Sequence, residues 1–245
     1  MAAGKTILAF DAYGTLLSTE SIAKKLAEHF GEEKAKSVAA SWRKFQLEYT
    51  WRLNSMNTYV DFEEVTRGSL RNALLEAGVS LNEDQIADMM HAYDSLSIFP
   101  DVAKTLEALR HKDELYPVVF SNGTSKMVAT SIKESPDLKD HNDVLKDIIV
   151  VEQPRRYKPA PDVYHHLAKQ VGKDASNTKE MAEMWLISGN PFDVVGARSV
   201  GMNAAWVDRA GAGWQDHLLT GENGKPSVIV QKLDDIVEAI RKHQR

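Results

Sequence analysis

Four apolar runs in this 245-residue chain end in residues that can do chemistry. Leu8-Ala9-Phe10 runs into Asp11, with Gly14 and Thr15 close behind. Residues 117–120 run into Ser121-Asn122-Gly123-Thr124, and residues 148–151 precede Tyr157-Lys158-Pro159. Residues 184–187 run into Ser188-Gly189-Asn190-Pro191-Phe192-Asp193. Together they supply two carboxylates, hydroxyls, an amide and an ammonium. A carboxylate presented at a strand end into a cleft can be a covalent nucleophile. Each residue also has an ordinary structural explanation. A serine after a strand commonly caps a helix, Lys-Pro commonly opens one, and Asp193 fits a first-turn acid. The conjunction, in this order, is the informative feature.

The elements needed to bring those ends together can be read from the pattern. Apolar runs at 6–10, 117–120, 148–151, 184–187, 204–207 and 228–230 are short and mostly continuous, as in parallel strands covered on both faces. Helical periodicity at 102–109 and 161–171 lies between them. This alternation predicts an α/β fold, a doubly wound parallel sheet with right-handed crossovers. In such a sheet ligands bind beyond the carboxyl ends of the strands.

The stretch from Leu17 to about Phe99 breaks the alternation. Segments 21–30, 35–52, 61–77 and 82–95 read as helices, the last capped by Asn82 with Glu83 and Asp84 in its first turn. The expectation is an α/β core of 1–16 and 99–245 carrying an inserted helical cap, 17–98, over the strand ends. Pro100-Asp101 marks the return to the core, and 136–142 and 173–179 read as surface loops. Lys158 is expected to open a helix.

Composition narrows the function classes. Apolar residues make 43% and charged residues 27%, ordinary for a globular chain, and the net charge of −5 offers no basic surplus for nucleic acid. No apolar run reaches the roughly 18 residues of a membrane span. No signal peptide precedes the first strand, so a cytoplasmic location is expected. With no cysteine, disulfides, thiolate metal sites and a cysteine nucleophile are excluded.

The run Leu8 to Leu16, Phe99-Pro100-Asp101-Val102, Lys158, the Ser188 to Asp193 loop and Gly196-Ala197-Arg198-Ser199-Val200-Gly201-Met202 resemble the haloacid dehalogenase superfamily. Within it, the chain is similar to the L-2-haloacid dehalogenase branch. The superfamily's phosphatases carry an acid two residues after the nucleophile, where this chain has Tyr13. They also hold Mg²⁺ with an acid four residues before the position of Asp193, where this chain has Gly189. A phenol with a pKa near 10 has no carboxyl proton to shuttle at neutral pH, and Mg²⁺ favours carboxylate help. A departing halide needs neither. No metal and no cofactor are therefore expected.

The resemblance implies roles for particular residues. Asp11 is the nucleophile, Lys158 keeps it ionised and stabilises the oxyanion, and Asp193 activates water, with Ser188 and Asn190 holding the network and Thr15 the Asp11 side chain. Arg43, within Ser41 to Tyr49, binds the departing halide or the substrate carboxylate. Ser121 and Asn122 bind that carboxylate with helix N-terminal amides, and Tyr13, Phe62, Tyr164 and Phe192 complete the substrate pocket. Lys44 stands where many relatives have glutamine, which would alter the halide environment, and Phe192 where they often have tryptophan. His165 and His166 are read as surface residues. Relatives are often homodimers, so a homodimer is possible. The implied reaction converts a short L-2-haloacid to a D-2-hydroxy acid and halide through an aspartyl ester. The alternatives are a Mg²⁺-dependent phosphatase, a hydrolase acting on another electrophilic carbon such as a strained-ring amino acid, and a binding protein that keeps the fold without turnover.

Overall fold

The computed structural model describes residues 4–244 apart from Glu134, Pro136 and Asn142. Six strands form one sheet: β1 (Thr6–Asp11), β2 (Leu115–Ser121), β3 (Ile148–Val150), β4 (Met184–Ser188), β5 (Asn203–Val207) and β6 (Val228–Val230). Their order is β3-β2-β1-β4-β5-β6 and every pairing is parallel. The chain runs outward from β1 in one direction and resumes beside it with β4, so the switch point lies between β1 and β4. Asp11 and Ser188 are the last residues of those two strands. The register pairs Asp11 with Phe120 on one side and Phe10 with Ile187 on the other.

The central strands are apolar without alternation because both faces are covered; Ile7 to Phe10 and Trp185 to Ile187 are fully buried. At the edge, β6 alternates, with Ile229 48% exposed between its neighbours. β1, β2 and β4 each reach one residue further than their apolar runs, because the ladder recruits the polar end residues Asp11, Ser121 and Ser188. β3 stops short of Val151, whose carbonyl instead accepts from the Arg155 N–H to close a turn.

Between β1 and β2 lie α1 (Ala23–Phe30), α2 (Glu32–Ser55), α3 (Phe62–Glu76), α4 (Glu83–Tyr93) and α5 (Val102–Leu109). A 3-10 turn, Thr19–Ile22, occupies the start of the segment read as the first helix. Asp61 caps α3 by accepting from the Glu64 N–H, and Asn82 with Gln85 forms a reciprocal capping box on α4. The outgoing and returning chains run side by side: Leu17 bridges Ile98 in antiparallel fashion, and Phe99 donates its N–H to the Leu16 carbonyl. Among the described residues, the stretch expected to lack strands thus holds only isolated bridges at Leu17, to Tyr13 and to Ile98. Arg209, after β5, braces the crossing. It makes a two-pronged contact with Asp101, donates to the Thr15 carbonyl, and lies 3.9 Å from the Phe99 ring centroid.

After β2 come α6 (Ser125–Lys133), α7 (Pro161–Gln170), α8 (Thr178–Ala182), α9 (Pro191–Ser199) and α10 (Ile236–His243). Two expectations need correction. Lys158 does not open a helix: α7 starts at Pro161, because proline supplies a ready N-terminal φ there. The loop expected at 173–179 yields to α8, since Asn177 accepts from the Lys179 and Glu180 N–H groups and caps a new turn. Pro136 and Asn142, the ends of the other expected loop, and Met1 to Ala3 lie outside the described residues. Lys139–His141 within that loop forms a 3-10 turn. Among the described residues no helix is long and apolar enough to cross a membrane.

Candidate active site

The strand ends converge on a lysine. The Lys158 ammonium donates to Asp11 Oδ1 at 3.0 Å, to Asp193 Oδ2 at 2.7 Å and to the Phe120 carbonyl at 2.7 Å. Lys158 and Asp193 are buried and Asp11 retains 6% exposure. Thr15, one turn past β1, donates its hydroxyl to Asp11 Oδ2 at 2.9 Å and accepts from the Gly189 N–H. Asn190 Nδ2 donates to the same Oδ2 at 2.7 Å and to the Tyr13 carbonyl at 2.9 Å, and Ser188 Oγ reaches Oδ2 at 3.3 Å. On the far acid, Tyr164 donates its hydroxyl to Asp193 Oδ1 at 2.7 Å. The α7–α9 approach behind that bond depends on Gly196, where a Cβ would sit 2.3 Å from the Tyr164 hydroxyl.

These contacts set the charges. Burial alone would lower the Lys158 pKa and is the strongest single influence, but the charges of Asp11 and Asp193 and their hydrogen bonds together raise it, so lysine stays an ammonium. Burial pushes the Asp193 carboxyl up to about 6, against the pull of Lys158, and the Asp11 charge adds to the rise. Burial, then the Asp193 charge, keep the Tyr164 phenol protonated far above neutral pH. Burial does the same for Tyr13, so that residue has no proton to exchange at neutral pH.

The helical layer delivers a cation. Arg43 on α2 places Nη2 3.3 Å from the Tyr13 carbonyl and 3.4 Å from Asn190 Oδ1. Its Nη1 donates to Gln46 Oε1 at 2.8 Å, and Gln46 in turn donates to Thr66 and accepts from Tyr93. The sequence shows Gln46 only as a helix residue three positions after Arg43, with nothing to mark it as buried. Lys44 is exposed, its ammonium 5.8 Å from the Phe45 ring centroid. A groove of about 850 Å³ along α1 and α2 is lined by Lys24, Ala27, Lys36, Ala39 and Arg43 among others.

The remaining candidates fall into two groups. Tyr13 stacks on Phe62 at 5.6 Å and lies 5.5 Å from the Tyr93 ring, joining core and helical layer. Phe192, half-buried, meets Trp51 of α2 edge-on at 5.5 Å. Ser121 and Asn122 use their side-chain oxygens internally, accepting from the Gly123 N–H and the Lys158 N–H. The first amide of α6, at Ser125, donates to Glu152. His165 is exposed as expected, whereas His166 is half-buried.

The donor set fits an ammonium and does not fit an octahedral Mg²⁺. Lys158 takes one oxygen of each acid, and the other two oxygens accept from Thr15, Asn190, Ser188 and Tyr164. Position 189 has no space for a carboxylate, since a Cβ there would lie 2.6 Å from the Gly14 carbonyl oxygen. Among the described residues no three His, Asp or Glu side chains are grouped to hold a metal.

A family model described as haloacid dehalogenase-like hydrolase matches residues 5–201. The (S)-2-haloacid dehalogenase of Xanthobacter autotrophicus is 34% identical over 82% of this chain and 74% of its own length. Haloacetate dehalogenase H-2 of Moraxella sp. (strain B) is 29% identical over 95% of this chain and 96% of its own. The solved L-2-haloacid dehalogenase of X. autotrophicus with chloropropionic acid covalently bound superposes with a TM-score of 0.81 at 29% identity. That match covers 97% of this chain and 98% of the other.

Proposed function

The chain belongs to the haloacid dehalogenase-like hydrolases, and we propose that it hydrolyses short L-2-haloalkanoic acids to D-2-hydroxy acids and halide. One observation carries the reading beyond the family. A single buried ammonium spans Asp11 and Asp193, while tyrosine and glycine stand at 13 and 189, where a magnesium phosphatase needs acids.

In this reading an Asp11 carboxylate oxygen attacks C2 of the haloacid from the face opposite the halogen. The new C–O bond forms as the carbon–halogen bond breaks, and halide leaves with the electron pair. It is a stable anion and needs no acid to protonate it. Water then attacks Cγ of the ester while Asp193 takes its proton. Lys158 lies on an oxygen of Asp11 and stabilises the oxyanion that forms there. Collapse breaks the bond from Cγ to the substrate oxygen, the departing alkoxide takes the proton of the intermediate's hydroxyl to become the hydroxy acid, Asp11 is restored as a carboxylate, and Asp193 releases its proton to solvent. C2 inverts once, so an L substrate gives a D product. The net change is haloacid plus water to hydroxy acid, halide and a proton.

Arg43 receives the halide or the substrate carboxylate. The Ser121 hydroxyl and Asn122 amide donate to the carboxylate, and Tyr13, Phe62, Tyr164 and Phe192 exclude water around the reacting carbon. The same reading takes 17–98 as a cap closing on a core of 1–16 and 99–245, supported by the Leu17–Ile98 crossing and the Phe192–Trp51 contact. A homodimer completes it on the strength of the resemblance.

Halide release from L- and D-2-chloropropionate in metal-free buffer tests the assignment. Release from the L isomer, unchanged by EDTA, is expected. EDTA-sensitive phosphate release from phosphomonoesters, with no halide, would instead identify a phosphatase. A second expectation concerns Tyr164→Phe. The tyrosine hydrogen bond holds the Asp193 carboxyl down, so its loss moves that pKa above about 6. Water activation needs the carboxylate, so the acid limb of the kcat–pH profile should shift to higher pH. An unmoved limb would remove Asp193 as the base.

A further inference from the structure

Lys158 is held by its backbone as well as by its charges. Its N–H donates to Asn122 Oδ1 at 2.9 Å, an anchor at the end of β2. The residue before it, Tyr157, is gripped from the other layer. Asn54, near the end of α2, accepts from the Tyr157 N–H at 2.9 Å and donates to the Tyr157 carbonyl at 2.7 Å. One side-chain amide thus bonds both backbone polar groups of one residue, as a neighbouring strand would. Arg156 adds bonds to the Asn54 carbonyl and to Asn57 Oδ1. The Tyr157 hydroxyl donates to the Val60 carbonyl, and its ring stacks on Tyr59 at 5.3 Å and lies 6.1 Å from the Phe62 ring. Every one of these partners, Asn54 to Phe62, lies between the end of α2 and the start of α3.

We propose that Asn54 is a positioning residue: its two hydrogen bonds to the Tyr157 backbone latch the helical layer to the loop that carries Lys158, and so fix the ammonium between Asp11 and Asp193. The physical reason is leverage. Lys158 follows Tyr157 directly, and the segment from Val151 to Ala160 has no strand or helix of its own to hold it. Buried backbone groups need partners; the Tyr157 carbonyl also accepts from the Ala160 N–H, but the only partner found for the Tyr157 N–H among the described residues is Asn54 of α2. If α2 withdraws, the Tyr157 backbone loses both side-chain bonds, and Lys158 keeps its backbone anchor only at Asn122. Seating of the helical layer and alignment of the lysine then become one event, which ties ester hydrolysis to a closed site.

The inference rests on the dehalogenase reading for its kinetic readout but not for its structural one. The experiment compares wild type, Asn54→Ala and Asn54→Asp. Backbone amide exchange at Tyr157 is followed by mass spectrometry with residue-level fragmentation, and kcat and KM are measured with L-2-chloropropionate across pH. Asn54→Ala is expected to exchange the Tyr157 amide faster. Its kcat should fall ~10- to 100-fold, the scale of a misplaced reacting group, with KM changed much less. Lys158 holds the Asp193 carboxyl down, so the acid limb of kcat should also move to higher pH, which a merely destabilised protein would not show. Asn54→Asp keeps the acceptor for the Tyr157 N–H but loses the donor to its carbonyl, so protection should persist while kcat falls between the other two. Wild-type kcat in Asn54→Ala, or a lowered kcat without faster Tyr157 exchange, overturns the latch. Absence of halide release from the wild type would sink the functional reading and leave the exchange result to judge the latch alone.

Discussion

Asparagine in place of Asp11 is expected to reduce halide release by at least about 10⁴-fold, or roughly 5 kcal/mol of barrier. The substitution keeps the size of the side chain and a carbonyl oxygen that Lys158 can still reach. It removes the anionic lone pair that would bond to carbon, and no second residue stands in for it. Asp193 is less accessible to the substrate carbon, fully buried where Asp11 keeps 6% exposure. The fold should survive, because Lys158 retains one carboxylate partner. A second readout confirms that the variant acts locally. The Asp11 charge helps raise the Asp193 carboxyl to about 6, so neutralising position 11 should bring the Asp193 titration down, visible by carboxyl-labelled NMR. Intact mass should show an ester adduct transiently on the wild type and never on the variant. If Asp11→Ala kept even a tenth of the wild-type rate, the covalent mechanism would be wrong.

The second large effect is expected from Lys158→Met, which keeps length and removes charge. Asp11 and Asp193 would then face each other with no cation between them. Removing one member of a buried ion pair costs about 3–5 kcal/mol because the other charge stays buried and unpaired. Two carboxylates are affected here. The pH dependence has a definite sign. Burial and the Asp11 charge already push Asp193 up, and Lys158 is the main restraint; without it the folded-state pKa rises further above the unfolded value. A group of that kind favours the folded state when protonated. The deficit should therefore be largest at alkaline pH and shrink as pH falls through the raised pKa, as melting temperatures across pH would record. Turnover should fall about 10³-fold or more, since the oxyanion loses its charged donor. Activity within ten-fold of wild type at pH 8 would show that the ammonium is dispensable.

What could be read from the sequence was what burial writes into it. β1, β2 and β4 are covered on both faces, so their apolar runs are continuous and the polar residues that end them stand out. That is why Asp11, Ser121 and Ser188 were legible, and why β6, with Ile229 facing solvent, gave only a three-residue signal. Lys158 was legible as a residue but not as a geometry, because it belongs to neither strand nor helix. Its position follows from contacts with Asn122 and, through Tyr157, with Asn54, which are far away in sequence. Arg43 could be singled out only by resemblance. The helical period puts it on α2, but nothing local says that α2 crosses above Tyr13 and Asn190. Gln46 was passed over because a lone glutamine on a helix is normally solvated. Its burial becomes evident only once Thr66 and Tyr93 are seen to surround it. The short helix α8 was lost because its cap, Asn177, also looks like a loop residue.

The close approach of Gly189 to Gly14 limits what position 189 can carry. An acid at 189 would not by itself create a cation site, because the first side-chain carbon would collide with main chain rather than with a movable side group. The turn at Gly14, which sits at φ +88°, would have to be rebuilt in the same step. Two neighbouring turns would have to change together before position 189 could carry any side chain.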